Sequence, residues 1–138
     1  MENVKEVHRV MKIIVATHGE LSQGLIHAAK MLIGVLQDVA SIQLQAGENI
    51  DHFQERFAQL IGETDEHQQC LIFCDILGGT PFNIASKLSY QNQHIVVFHG
   101  VNLPIFLEAI MQREGKNVNA LAEELATNAA NSLGIGMF

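Results

Sequence analysis

The sequence predicts a single α/β domain of three layers, a mainly parallel sheet with helices on both faces. Three observations carry this. The runs Ile13–Thr17 and Cys70–Asp75 are apolar up to their last residue, as strands buried on both faces are. Stretches with apolar residues at helical spacing separate the runs, and the connections are short. The chain has 138 residues, with no internal repeat, low-complexity segment or linker. A domain of that size buries roughly 68–70% of the surface its unfolded chain exposes.

Met11 stands just before the first strand. Residues Met1–Val10 are charged and read as a flexible N-terminal extension, with residues 11–138 as the domain. After Ile13–Thr17 come Leu21, Leu25, Ala28, Ala29 and Leu32 at helical spacing from Glu20 to Ile33, with Gly34 as a terminator. Val39–Leu44 is more polar and reads as a strand at the sheet edge. Asn49 or Asp51 caps a helix that carries Phe53, Phe57, Leu60 and Ile61 on one side, where the two phenylalanines read as core. Cys70–Asp75 is the third strand. Thr80 reads as an N-cap and Pro81 as the first helical residue, in a helix through Phe82, Ile84, Ala85 and Leu88. His94–His99 is the fourth strand, and helices near Leu103–Glu114 and Asn119–Asn131 follow. The tail from Gly134 to Phe138 is short and apolar. It is a candidate last strand, of the edge type that pairs with a second subunit.

Hydrophobic residues make up 48% of the chain and charged ones 17%, as in ordinary globular domains. A formal charge of −7 argues against a nucleic-acid surface, which needs a basic stripe, and permits a basic protein partner. No apolar run approaches the ~20 residues that span a bilayer, and the first ten hold no signal-peptide core. Cys70 and Cys74 lie four residues apart in one strand, roughly 13 Å and beyond disulfide reach. They read as buried free thiols, which fits a reducing cytoplasm.

Three strand ends converge, and open α/β sheets keep their chemistry at the carboxyl ends of strands. Thr17-His18-Gly19 follows the first strand, and Asp75 with Gly78-Gly79-Thr80 the third. His99-Gly100-Val101-Asn102 follows the fourth. His18 can act as a nucleophile, general base or metal ligand, since imidazole has a free ring nitrogen near neutral pH. The alternative is a histidine that caps a helix or bonds a loop. Asp75 can accept from one ring nitrogen, fix the tautomer and leave the other nitrogen to attack. Its bland alternative is a turn cap. Gly78-Gly79-Thr80-Pro81 reads as a tight turn opening a helix, whose amides and dipole suit a phosphoryl group. No Walker loop, Gly-x-Gly-x-x-Gly or Gly-x-Ser-x-Gly elbow accompanies it. His99 is a rival: with His18 and Asp75 it composes a conceivable metal site. His8, His27, His52, His67 and His94 read as surface or helix-face residues. Together these residues describe an imidazole that accepts and passes on phosphate.

Thr17-His18-Gly19, the run Asp75 to Asn83 (Asp-Ile-Leu-Gly-Gly-Thr-Pro-Phe-Asn) and Gly100-Val-Asn-Leu-Pro104 together resemble the enzyme IIA component of the mannose/fructose/sorbose family of the bacterial sugar phosphotransferase system. The resemblance implies a cytoplasmic phosphocarrier, and it suggests no cofactor and no metal. His18 would accept a phosphoryl group on Nε2 from phospho-HPr and pass it to a separate IIB component, with membrane IIC/IID components engaged indirectly. Asp75 would bond the other ring nitrogen. Gly19, Gly78, Gly79 and Thr80 would bind the phosphoryl group, and Thr17, Asn83, His99 and Asn102 would line the site. The family is dimeric and exchanges a C-terminal strand, for which Ile135–Phe138 is the candidate. His99 departs from the small residue common there. Two other readings are a phosphocarrier subunit for dihydroxyacetone kinase and a non-catalytic anion- or flavin-binding regulatory module.

Overall fold

Among the described residues four strands form one sheet in the order β2-β1-β3-β4, every neighbouring pair parallel. They are β1 (Lys12–His18), β2 (Val39–Leu44), β3 (Cys70–Cys74) and β4 (Ile95–His99). The structure is a computed structural model and describes residues 10–137. Apart from Val10, the expected extension over Met1–Val10 lies outside the described residues, as does Phe138. The helices are α1 (Leu21–Ile33), α2 (Ile50–Ile61), α3 (Thr80–Leu88), α4 (Leu103–Gln112) and α5 (Val118–Asn128), followed by a 3-10 turn at Ala129–Ser132. The more polar β2 lies at an edge, as its composition predicts.

The two faces of the sheet follow from strand parity, since alternate side chains leave opposite faces. Ile13 and Val15 of β1 and Leu71 and Phe73 of β3 pack with α1, α4 and α5. Ile14, Ala16, Cys70, Ile72 and Cys74 pack with α2 and α3. Phe73 meets Phe98 and Phe106 edge to face, and Phe53 meets Phe57 likewise in the other layer. Asn49 caps α2 through its side chain, accepting from the His52 amide at 2.9 Å.

Four expected strands differ in the structure, the first of them running Lys12–His18 and so including His18. The third strand stops at Cys74, which leaves Asp75 in the turn. The fourth begins at Ile95. The tail over 133–137 forms no strand. Two glycines weaken strand formation there, and Leu133, Ile135 and Met137 stay exposed.

Arg113 is buried at the amino end of the sheet. Its guanidinium donates to the carbonyl oxygens of Met11 at 2.8 Å, Asp38 at 3.4 Å and Gln37, so one side chain ties the approaches to β1 and β2. Burial pulls its pKa down, against the nearby Asp38 carboxylate. Arg113→Ala strands those carbonyls and is expected to cost about 2–3 kcal/mol in urea unfolding. Arg113→Lys, with one compact donor group, is expected to recover only part of the loss.

Cys70 and Cys74 are free and fully buried, as expected. Burial pushes both thiols up to about 12, opposed at Cys70 by Lys12 and reinforced at Cys74 by Asp75. Native protein is therefore expected to leave both unreacted with a thiol reagent at pH 8. Guanidinium should release two equivalents; fast labelling of the folded chain would contradict this burial.

Candidate functional site

The chain leaves β1 toward β2 and leaves β3 toward β4, on opposite sides. Such a reversal opens a crevice at the carboxyl ends of the two central strands. His18 closes β1 and Asp75 follows β3, so both stand at that crevice. Parity decides which β1 residue faces it from the α3 side. His18 continues the row of Ile14 and Ala16, whereas Thr17 continues the row of Ile13 and Val15.

Asp75 grips His18 twice through one oxygen. Oδ2 accepts the His18 backbone N–H at 3.0 Å and lies 2.9 Å from ring Nδ1. Oδ1 accepts the Ile76 amide at 3.0 Å. An ionised carboxylate only accepts, so Nδ1 carries the proton of the neutral ring and Nε2 keeps its lone pair. The His18 side chain is 50% exposed while that of Asp75 is 14% exposed, so the ring is open and its anchor is sheltered. Burial pushes the Asp75 carboxyl up. The His18 amide, the ring bond, the ring's charge and the backbone of Asp75 itself outweigh that and hold it below the usual carboxylate range.

The ring's other side rests on the turn into α3. A Cβ built on Gly79 would stand 2.8 Å from His18 Cε1 and 3.5 Å from Nε2. The turn amide expected to bind phosphate is already used: Gly79 N–H donates to the Ile76 carbonyl at 3.2 Å. Gly19 N–H likewise donates to the Leu44 carbonyl at 3.0 Å, where Gly19 turns the chain at φ +56°. Gly78 takes φ +83°, a conformation suited to glycine, and its carbonyl accepts from Asn83 Nδ2 at 3.1 Å. Gly79, not Thr80, occupies the capping position, and Thr80 and Pro81 are the first two helical residues. The Thr80 hydroxyl is therefore not spent on a cap. The amides of Thr80 and Phe82 belong to the first turn, which a helix leaves without intrahelical acceptors.

Three expected lining residues lie elsewhere. Thr17 is fully buried, and its Oγ1 accepts the Ser22 amide at 2.9 Å, so it supports the start of α1. Asn102 caps α4 through the Ile105 amide and donates to Ser132 Oγ at 2.9 Å. His99 shares the parity of His18 but stands beyond β3, two strand spacings or about 10 Å away along the backbone. Its ring meets Phe82 edge to face at 5.9 Å. His99 and Asn102 both line a separate cleft of about 560 Å³ between β4 and α5. Among the described residues no cluster of three or more histidine, cysteine or carboxylate side chains could hold a metal.

Sequence reading missed the opposite wall. Leu44, Ala46 and Ile50 line an open groove of about 490 Å³ beside His18 and Gly19. Glu48 shapes this β2–α2 loop: Oε1 accepts the Gln45 amide at 3.0 Å, and Oε2 takes a 2.6 Å bond from Arg56. The Gln45 amide and Arg56 hold the Glu48 carboxyl below its ordinary range. Arg56 also reaches the Gln43 carbonyl at 3.1 Å. The sequence signal was Gly47 beside Glu48 in the loop after β2, which does not announce a partner eight residues on.

The fold and the site define a doubly wound α/β protein with a histidine–carboxylate pair at its switch point. The chain belongs to the EIIA-man family, whose model, described as PTS system fructose IIA component, matches residues 12–126. The PTS system mannose-specific EIIAB component of Escherichia coli strain K12 is 33% identical over 102 residues. That match takes in 74% of this chain and 32% of the relative, so the chain spans about a third of that protein's length. The PTS system fructose-specific EIIA component of Bacillus subtilis is 29% identical, over 89% of this chain and 84% of its own. Among solved structures, the mannose/sorbose specific IIA subunit from Enterococcus faecalis superposes with a TM-score of 0.84 at 25% identity, covering 94% of this chain and 96% of that one. The PTS IIA protein associated with the fucose utilization operon from Streptococcus pneumoniae gives 0.83 at 28% identity, with the same coverage. Among the described residues no helix is long and apolar enough to cross a membrane.

Proposed function

We propose that this chain is a cytoplasmic phosphohistidine carrier that accepts a phosphoryl group from phospho-HPr on His18 Nε2 and passes it to a separate IIB component, with membrane IIC/IID components served indirectly. One observation carries the reading. The Asp75 carboxylate lies 2.9 Å from Nδ1 and leaves the Nε2 lone pair on a half-exposed ring. In the transfer, Nε2 attacks phosphorus in line as the donor's P–N bond breaks and its electron pair returns to the donor imidazole. The Nδ1 proton stays where it is, and Asp75 faces the positive charge the ring acquires. The Thr80 hydroxyl and the first-turn amides of Thr80 and Phe82 are the available donors for the phosphoryl oxygens. Delivery to IIB is the same displacement in reverse.

Protein donors and acceptors suit this rim. Leu21, Ile50, Ile76 and Leu77 are exposed apolar residues on the elements that surround the ring. The test is incubation with enzyme I, HPr and phosphoenolpyruvate. The chain should gain one equivalent of acid-labile phosphate, and a chain that gains none is not a carrier.

The carrier is also proposed to act as a homodimer. Among the described residues no strand pairs with the outer edge of β4, and the cleft beside it reaches Leu133. Leu133, Ile135 and Met137 alternate along the exposed tail, the pattern of a strand with one apolar face. Sedimentation should show two copies, and a monomer at tens of micromolar would exclude the exchange.

A further inference from the structure

We infer that Asn83 is a positioning residue for His18, acting through the Gly78–Gly79 turn; the inference rests on the carrier reading for its kinetic part only. The turn is a closed circuit of short bonds. Asp75 Oδ1 holds the Ile76 amide at 3.0 Å, and the Ile76 carbonyl accepts from Gly79 N–H at 3.2 Å. The Gly78 carbonyl accepts from Asn83 Nδ2 at 3.1 Å, and the Gly79 carbonyl accepts from the Asn83 amide at 2.9 Å. Asn83 thus binds both glycines, one through its side chain and one through its backbone.

What the circuit holds is the surface under the ring. An atom added to Gly79 would press on His18 Cε1 at 2.8 Å and on Ile76 Cγ2 at 2.9 Å, so the glycine backbone fits against the imidazole with no room for a methyl group. Asp75 fixes the Nδ1 edge of the ring, and Gly79 limits its swing on the Cε1–Nε2 side. Gly78, at φ +83°, is a conformationally free residue. Without the side-chain bond to its carbonyl, the turn can shift and the ring with it. That bond is exposed, so it adds little to folding stability. Its consequence lies in where Nε2 points.

The test replaces Asn83 with Ala and reads the His18 Cε1–H and ring-nitrogen signals by NMR, together with single-turnover phosphorylation by phospho-HPr. Leu88→Ala, which loosens the other end of α3 where Leu88 packs on the core, is the control for simple destabilisation. Asn83→Ala should move the ring signals and slow phosphorylation about ten- to hundredfold, the scale of a small misplacement of a reacting atom. The KM for phospho-HPr should change far less than the rate, since the variant removes no side chain of the apolar docking rim. Gly79→Ala should move the same signals further. Ring signals that match the parent in Asn83→Ala, or that move as much in Leu88→Ala, would overturn the inference. If the signals move but the parent itself takes up no phosphate, the positioning role stands and the carrier reading falls.

Discussion

His18→Gln is expected to take up no phosphoryl group from phospho-HPr, while folding as the parent does. Glutamine preserves much of the length and polarity of the side chain, and its amide can still meet Asp75 Oδ2, which also holds the His18 backbone N–H at 3.0 Å. It supplies no nitrogen lone pair, because amide conjugation withdraws it. The loss should be complete, unlike that of a residue which only assists. The measurement is acid-labile phosphate per chain after incubation with enzyme I, HPr and phosphoenolpyruvate, with circular dichroism as the check on folding. His99→Ala should retain nearly full uptake, because that ring packs on Phe82 beyond β3. Phosphate that persists in His18→Gln and vanishes in His99→Ala would reverse the assignment.

Asp75→Asn is expected to slow phosphorylation by roughly 10²- to 10⁴-fold, the range in which loss of an orienting carboxylate acts. The reason lies in the hydrogen bonds. Oδ2 faces two groups, the His18 amide and Nδ1–H, and Oδ1 faces the Ile76 amide. An asparagine has only one acceptor oxygen. Either its NH₂ confronts the His18 amide and forces the other ring tautomer, or it confronts the Ile76 amide and disturbs the turn. Neither orientation supplies negative charge to the phosphorylated ring. Ring-nitrogen NMR should therefore show either a changed tautomer or a displaced ring. An unaltered rate would remove Asp75 from the chemistry.

The pH behaviour has a definite sign. The Asp75 carboxyl is held below its ordinary range, so its bonds stabilise the fold fully above the unfolded value, about 3.9. That contribution disappears as pH falls through the lower folded value. Between pH 5 and 8 the carboxylate is expected to stay ionised, and the pH dependence of the parent in that range should not arise from Asp75. Titrating its carboxyl carbon signal would check this.

How much of this the sequence showed depends on what each inference required. His18 and Asp75 were visible because each ends an apolar run, and parallel topology brings such ends to one rim. Thr17 was misassigned although it adjoins His18, because proximity along a strand places neighbours on opposite faces. Asn102 and His99 were misplaced for a related reason: both lie at the carboxyl end of β4, but that strand is separated from β1 by β3. The amides of Gly19 and Gly79 looked free because their acceptors, Leu44 and Ile76, are backbone carbonyls whose positions no residue type discloses. Arg113 was invisible because it depends on contacts between distant segments, and the Glu48–Arg56 pair because it depends on how the loop before α2 folds back on that helix.

The parity of β1 also sets a rule for how the gene can change. One codon inserted between the centre of that strand and His18 would deliver the imidazole to the α1 layer and threonine to the crevice. Two codons would restore the direction but overshoot the carboxylate. Lineages descended from this sequence should therefore tolerate length variation in their loops, while the count of residues from Ile14 to His18 stays frozen.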